Sequence, residues 1–231
     1  CGGMPRCQNR LCGRAMFQEV VDNLRALKDA GIPVRLNVSV TPDNKDDVPE
    51  IFRLARELGL HTKASTYMYP PVRLDDGRPG DAPHRFAPED AARYMLLCRE
   101  QQFTLEELRA SAAGVPLSDG DECTGNAEGE PVLCRAGRSS FWLTWDGRMI
   151  PCGMMASPGT PVLEQGFSAA WRSVRTEVEA IRLPAACAGC ALRRHCNLCA
   201  ASCFAETGDY DRKPDYICSL THTLCRITRE K

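Results

Sequence analysis

Cysteine is concentrated near one end of the chain, and this concentration constrains the fold more than any other feature. Five of the 14 cysteines lie within residues 187–203, including the pairs Cys187/Cys190 and Cys196/Cys199. The members of each pair are separated by two residues, so a tight turn can point both sulfurs at one metal site. This geometry serves tetrahedral zinc or an iron–sulfur cluster. Of the other nine, Cys134 and Cys152 precede the stretch and Cys218 and Cys225 follow it, while the first five cysteines of the chain are scattered.

The composition of the chain favours metal binding over disulfide bonds as the role of these cysteines. Disulfide frameworks are typical of short secreted chains, whereas this chain has 231 residues and no secretory signal. A formal net charge of −1 offers no electrostatic basis for binding nucleic acid or an anionic membrane. No apolar run approaches the ~18 residues that span a bilayer. We therefore expect a cytoplasmic protein with neither nucleic acid nor membrane as a partner.

The first third of the chain alternates between helical and extended patterns. Apolar residues recur at helical spacing over residues 15–30 and again over 48–58, and a glycine follows each run. Apolar and polar residues alternate over 34–40, as in a strand, and 61–69 is interpreted as a second strand. Helix, strand, helix and strand with short connections predict βαβ units and a parallel sheet, so the fold class is α/β.

The first predicted strand carries an unusual polar face. Parallel strands covered on both sides are normally apolar throughout, yet Arg35, Asn37 and Ser39 share one side of this strand. Either that face lines a polar cavity, as inside an enzyme barrel, or the strand lies near the edge of its sheet. We favour the cavity.

Two helices and two loops complete the first part of the chain. Residues 73–88 are rich in Pro, Gly and charged residues and predict a loop, and 89–102 predict a helix. A capping box at Thr104 begins a further helix that ends near Gly114. Residues 115–131 are rich in glycine and acidic residues. We therefore predict a first domain over 1–114, a linker over 115–131 and a cysteine-rich domain over 132–231.

A predicted β-hairpin connects the cysteines of the second domain. Asp146-Gly147 lies between two apolar arms within residues 140–152, which is a strong hairpin signal. The turn folds Cys152 back beside the start of the first arm, so that Cys134 and Cys152 can approach one site. A helix is then predicted from Gly166, and a proline ends it shortly before the dense cysteine stretch.

Taken together, these motifs resemble radical S-adenosylmethionine (SAM) enzymes that carry a C-terminal SPASM domain. That domain holds two auxiliary [4Fe–4S] clusters. Three features match the pattern of that domain. They are Cys134, the motif Gly147-x4-Cys152, and the run Cys187-x2-Cys190-x5-Cys196 with a final Cys218. Residues 30–41, with the helix and strand after them, are similar to the last third of the partial (β/α)6 barrel of these enzymes. The resemblance covers nearly the whole chain.

The resemblance implies a ligand set for two clusters. It assigns Cys134 and Cys152 to the first cluster, completed from the end of the dense stretch. The family has a cysteine four positions after the one matching Cys196, but Ala200 stands there, flanked by Cys199 and Cys203. Which of these two ligates which cluster stays open. The second cluster is assigned Cys187, Cys190, Cys196 and Cys218, which makes eight candidate ligands in all.

The resemblance also implies an activity that this chain does not carry alone. The C-x3-C-x2-C motif that holds the SAM-cleaving cluster is missing, so we interpret the chain as the C-terminal part of a longer enzyme. That enzyme would use SAM and a third [4Fe–4S] cluster, receive electrons from a flavodoxin- or ferredoxin-type reductant, and act as an oxidoreductase that matures a peptide or protein. Candidates for SAM contact at the barrel mouth are Arg35, Asn37 and Asn44.

Two alternatives to this interpretation remain. A zinc-binding interaction module would explain the cysteine pairs, although not the hairpin or the α/β segment. An iron–sulfur protein that only transfers electrons or binds substrate would explain the missing motif. One departure also bears on the subgroup: relatives that mature sulfatases have an acidic residue after the cysteine matching Cys152, and Gly153 stands here.

Overall fold

The computed structural model describes residues 9, 12–69, 85–114, 131–187 and 190–231. Residues 73–84 of the loop predicted over 73–88, and residues 115–130 of the linker predicted over 115–131, lie outside this part of the chain. The described residues fall into two compact units. The first comprises those of Cys1–Met68, Asp81–Val115 and Thr223–Lys231, and the second comprises those of Tyr69–Gly80 and Pro116–His222. The predicted domain boundary is linear, whereas these units are each assembled from separate segments.

A parallel pair of strands forms the sheet of the first unit. Strand β1 (Arg35–Ser39) pairs with β2 (His61–Ser65), with Arg35 opposite His61 and Ser39 opposite Ser65. The predicted alternation in β1 is present, because Val38 is buried while Asn37 is exposed. Among the described residues, this sheet has two strands, and the polar face of β1 is exposed. The parallel arrangement confirms the α/β prediction; the described strands do not form a barrel.

Two helices flank these strands along the chain. Helix α1 (Phe17–Asp29) ends before Gly31, whose φ of 71° provides the left-handed stop predicted there. Helix α2 (Val48–Glu57) buries one face, because its apolar residues recur at helical spacing. The buried residues are the predicted ones: Val48, Ile51, Phe52, Ala55 and, just after the helix, Leu58.

Two shorter predictions in the first unit are also confirmed. Helix α3 (Pro88–Glu100) is followed by α4 (Leu105–Ala112), which begins with the predicted capping box. The Thr104 side chain accepts a hydrogen bond from the Glu107 backbone N–H at 3.3 Å, and Glu107 accepts one from the Thr104 backbone N–H at 2.6 Å. These bonds satisfy two amide groups that a helix start leaves without partners.

The second unit contains the predicted hairpin and one strand that sequence did not indicate. Strands β3 (Trp142–Leu143) and β4 (Arg148–Ile150) pair antiparallel around Gly147, which has a φ of 78°. Strand β5 (Thr160–Pro161) extends the sheet on the other side of β4. A two-residue strand has too little alternation to be recognised from its residues alone.

Helix packing against this sheet forms the core of the second unit. A short helix α5 (Val162–Gln165) leads into α6 (Phe167–Ala180), whose Val174 and Val178 are fully buried. Met149 of β4 and the alanines at the start of α7 (Ala200–Thr207) join the same apolar cluster. Side chains that pack closely in such a cluster hold the loops between these elements in place.

The last helix closes the chain. Helix α8 (Asp215–Arg229) begins in the second unit and its final residues belong to the first. Short 3₁₀ turns at Ala185–Cys187 and Arg193–His195 lie within the cysteine-rich segment. None of the helices in the described residues is both long and apolar enough to cross a membrane.

Candidate metal centre

Four of the predicted ligands line a single pocket in the second unit. Cys187, Cys190, Cys196 and Cys218 surround a half-open space of about 370 Å³, a volume that includes the mouth of the pocket. All four are partly buried and none is in a disulfide. We call this set the distal group. It is the set that the resemblance assigns to the second cluster.

Local backbone turns bring these four sulfurs together. The Cys190 N–H donates to the Cys187 carbonyl at 3.3 Å, and the Cys196 N–H donates to the Arg193 carbonyl at 3.2 Å, so the segment winds around the pocket in tight turns. Cys218 arrives from helix α8, where its N–H donates to the carbonyl of the buried Pro214 at 3.1 Å. Three ligands thus come from turns and one from a helix.

Positive side chains lie around the distal group. Arg193 and Lys213 both line the pocket. Burial raises the pKa of the Cys187 thiol, and the Arg193 guanidinium opposes that shift. The pKa of Lys213 is raised by its hydrogen bond to Asp215 and next by the charge of Cys218. Positively charged side chains that line the pocket stabilise thiolates and any negative charge that the sulfurs share.

Cys196 has hydrogen-bond donors of its own. Burial raises the pKa of its thiol, while a side-chain hydrogen bond from Thr221 and a backbone hydrogen bond from Leu198 lower it. Thr221 is itself buried, with 5% of its surface exposed. A buried hydroxyl directed at sulfur fits a sulfur that carries negative charge.

A second set of cysteines lies on the hairpin side of the same unit. Burial raises the pKa of the Cys152 thiol, backbone N–H groups of Met154 and Met155 lower it by donating to the sulfur, and the charges of Cys199 and Cys134 raise it. The sulfur of Cys152 therefore lies within electrostatic range of both Cys134 and Cys199. We call these three the proximal group. It contains both cysteines that the resemblance assigns to the first cluster.

Cys199 occupies the N-cap of helix α7. Its sulfur accepts the Ser202 backbone N–H at 3.4 Å, while its own N–H donates to the Ser202 hydroxyl at 3.2 Å. This is a capping box in which a cysteine takes the usual place of serine or threonine. The helix start therefore directs positive dipole toward the Cys199 sulfur.

Cys203 lies one helical turn beyond Cys199 and is fully buried. Burial raises the pKa of its thiol strongly. The charges of Cys199, Cys187 and Cys196, in that order, raise it further. Charges from both groups therefore act on Cys203. They do not assign it to either candidate centre, so its role as a ligand stays a prediction.

Tyr69 lies at the proximal group and was not identified from the sequence. Its hydroxyl lies 3.5 Å from the Cys199 sulfur. Burial raises the pKa of Tyr69, and the neighbouring cysteines, Cys199 first, raise it further. Thr221, which donates to Cys196 of the distal group, was not identified from the sequence either. Neither residue belongs to a recognisable motif, so no local signal identifies them.

The hairpin also accounts for the glycine that follows Cys152. A Cβ at Gly153 would lie 3.2 Å from Cε2 of the Trp142 indole, which covers this position from strand β3. A larger residue needs that ring to shift by a few tenths of an ångström. Gly153 therefore permits a close contact here and provides no acid or base.

The three predicted SAM-contact residues lie in the first unit. Arg35 and Asn37 are exposed on β1. Asn44 is buried, and its amide joins the loop after β1: it donates to the Ser39 carbonyl at 2.9 Å and accepts the Thr41 N–H at 2.8 Å. These bonds give Asn44 a structural role, while SAM contact by any of the three stays a prediction.

The donor set of both groups suits an iron–sulfur cluster. Cysteine thiolates are the usual ligands of [4Fe–4S] clusters, and hydrogen bonds to their sulfurs are a regular part of such sites. A zinc ion would instead need its ligands at about 2.3 Å from one point. As they stand, no three His, Cys, Asp or Glu side chains among the described residues form a single-ion site. A single zinc ion requires all its sulfurs around one point, whereas the four sulfurs of a [4Fe–4S] site each bind a different iron and lie farther apart.

Comparison with known proteins adds one relative. No protein-family model matches the chain. The chain is 23% identical over 212 residues to a protein named AdoMet-dependent heme synthase from Methanosarcina barkeri (strain Fusaro / DSM 804). The match covers 87% of this chain but only 60% of that protein, so the chain spans less than two thirds of its relative. This similarity supports the resemblance to radical SAM enzymes, and it does not address the twin-cluster domain in particular.

Proposed function

We propose that this chain is the C-terminal portion of a radical SAM oxidoreductase and that it binds two auxiliary [4Fe–4S] clusters. The distal group would hold one cluster through Cys187, Cys190, Cys196 and Cys218. The proximal group would hold the other, with Cys203 as the remaining candidate ligand. When bound, such clusters supply electron transfer or an anchoring point for substrate.

The observation that carries the proposal is the four-cysteine pocket. Its four partly buried thiols are unpaired in disulfides and surround one space. Burial raises the pKa of two of these thiols, Cys187 and Cys196, whereas a bound cluster would use all four sulfurs as thiolates. The similarity to AdoMet-dependent heme synthase supports the same enzyme class from sequence.

The residues around the sulfurs have defined tasks in this proposal. Arg193 and Lys213 offset the negative charge that thiolates bring to the distal pocket. Backbone N–H groups after Cys152 and at the start of α7 donate to sulfurs of the proximal group. Hydrogen-bond donors that are held in place by secondary structure also orient the ligands before the metal arrives.

Metal analysis tests this part of the proposal. The chain is purified and reconstituted anaerobically, and iron, acid-labile sulfide and zinc are measured. Two four-iron clusters predict about eight iron atoms per chain. Fewer than about four iron atoms, or a colourless protein containing zinc, would contradict the proposal and favour the zinc-binding module.

For the substrate, we propose a peptide or protein that the full-length enzyme matures. The name of the relative favours a second candidate, a precursor of heme. The two differ in an assay that works even when the product is unidentified: the full-length enzyme with SAM and a reductant is given each candidate, and substrate-dependent 5′-deoxyadenosine is quantified by mass spectrometry. Stimulation by a heme precursor and by no peptide would decide for the second candidate.

The 231-residue chain is expected to be inactive in that assay. It lacks the C-x3-C-x2-C motif, so its own residues offer no site for the SAM-cleaving cluster. Cleavage of SAM by this chain alone would contradict our interpretation of the missing motif. The full-length enzyme serves as the positive control.

A further inference from the structure

The proximal group has a neighbour that its proposed function does not yet use. The Tyr69 hydroxyl lies 3.5 Å from the Cys199 sulfur, within hydrogen-bonding distance for sulfur. The tyrosine ring packs against the apolar core of the second unit beside Cys152 and Cys199. Tyr69 and Cys199 are 130 positions apart in the chain, so the contact is a product of the fold and not of local sequence.

The chemistry of a ligand thiolate determines the direction of this hydrogen bond. Between a phenol and a free thiol, either atom could donate. A cysteine sulfur bound to iron carries no proton, so only the phenol O–H can donate. The Ser202 N–H approaches the same sulfur at 3.4 Å. Cys199 therefore has two donors, one from the backbone and one from a side chain.

We propose that Tyr69 is a positioning residue of the proximal cluster, which donates a hydrogen bond to the Cys199 thiolate and thereby raises the reduction potential of that cluster. This inference rests on the proposed function, since it requires a cluster on the proximal group. A donor at a ligand sulfur withdraws negative charge, and it stabilises the reduced cluster more than the oxidised one because the reduced cluster is more negative.

The geometry makes the effect specific to one of the two clusters. Tyr69 contacts a sulfur of the proximal group, whereas the hydroxyl that serves the distal group is that of Thr221 at Cys196. A second tyrosine provides a matched control. Tyr210 packs against the same core, but its hydroxyl donates to the Ser157 carbonyl and not to sulfur.

The experiment compares the wild-type chain with Tyr69→Phe and Tyr210→Phe after anaerobic reconstitution. Iron and sulfide are quantified first. A potentiometric titration followed by electron paramagnetic resonance then gives the midpoint potentials. In Tyr69→Phe, we expect the ratio of reduced to oxidised cluster at a given ambient potential to fall about tenfold for one cluster, which is about 59 mV for a one-electron couple. The other potential, and both potentials in Tyr210→Phe, should stay unchanged.

A spectroscopic measurement protects the test against loss of the cluster in the variant. Electron–nuclear double resonance of the reduced wild-type chain in H₂O and D₂O should detect the exchangeable proton of the Tyr69 hydroxyl coupled to the proximal cluster, in addition to those of the backbone N–H groups of Met154, Met155 and Ser202. This coupling should be missing from a loaded Tyr69→Phe chain. Where that variant loads only half of the iron, the presence or absence of this coupling in the wild type decides.

The possible results separate this inference from the proposed function. A wild-type chain that takes up no iron and sulfide contradicts the proposed function. A wild-type chain that holds both clusters overturns the role of Tyr69 alone if Tyr69→Phe leaves both potentials unmoved or removes no exchangeable proton coupling from the spectrum of the proximal cluster. Equal shifts in the two tyrosine variants overturn it as well.

Discussion

Replacing Gly137 by alanine tests how tightly the loop that carries Cys134 packs onto helix α6. Gly137 is buried and has a φ of 64°, a left-handed conformation that costs an alanine about 1–2 kcal/mol. The added Cβ would lie 2.6 Å from Cγ2 of Val178, which is 1% exposed and cannot move away freely. Overpacking of this kind costs about 1–3 kcal/mol. The substitution should therefore lower the free energy of unfolding by about 2–5 kcal/mol.

Gly208→Ala is the matched control for the conformational part of this loss. Gly208 also has a positive φ, 79°, and nothing lies within 4 Å of its potential Cβ. Only the left-handed cost of about 1–2 kcal/mol applies to it. The difference between the two variants therefore isolates the contact with Val178.

Urea unfolding of the iron-free, reduced chain, followed by circular dichroism, measures both variants. With a slope of about 2 kcal/mol per molar urea, Gly137→Ala should lower the midpoint by about 1–2.5 M. Gly208→Ala should lower it by less than about 1 M. Equal losses in the two variants would refute the packing of this loop onto α6, because the contact with Val178 would then contribute nothing.

Three further predictions follow from other parts of the structure. Cys199→Ser should reduce the iron content of the reconstituted chain from about eight to about four atoms, and retention of full iron would remove Cys199 from the ligand set; Cys203→Ala, measured in parallel, shows whether the fully buried thiol is a ligand as well. Thr104→Ala removes the capping box of α4 and should cost about 1 kcal/mol in the urea experiment, with an unchanged midpoint as the contrary result. Burial raises the pKa of Cys98 from 9.0 to about 12, so between these pH values the unfolded chain loses a proton that the folded chain keeps. Stability should fall there by up to about 1.4 kcal/mol per pH unit, and Cys98→Ala should flatten this slope; an identical slope would contradict the burial of that thiol.

Features governed by neighbours in sequence could be predicted from the residues alone. The hairpin follows from Asp146-Gly147, because a left-handed glycine in a short turn reverses the chain whatever surrounds it. The buried face of α2 follows from its apolar spacing, and the start of α4 follows from its capping box. The strand β5 escaped prediction because its pairing depends on β4 and not on its own residues.

The candidate site also has features that follow from local sequence and features that depend on distant segments. The C-x2-C pairs predict thiolates that share a metal, because two residues between cysteines allow one turn to present both sulfurs. Which pairs share a pocket was implied by family resemblance and could not be derived from spacing. The two cysteines that flank Ala200 illustrate the limit: Cys199 caps α7 and faces the proximal group, whereas Cys203 is buried and charges from both groups act on it.

The sequence by itself determined that this chain has an α/β segment and a cysteine-rich segment with paired cysteines, since helical spacing, strand alternation and cysteine pairs are local patterns. Only the tertiary structure decided which donors face the sulfurs. Tyr69 reaches Cys199 across 130 residues, and the hydroxyl of Thr221 reaches Cys196 from helix α8. Such contacts depend on how distant segments pack, because a hydroxyl becomes a partner of sulfur only when the core holds both within a few ångströms.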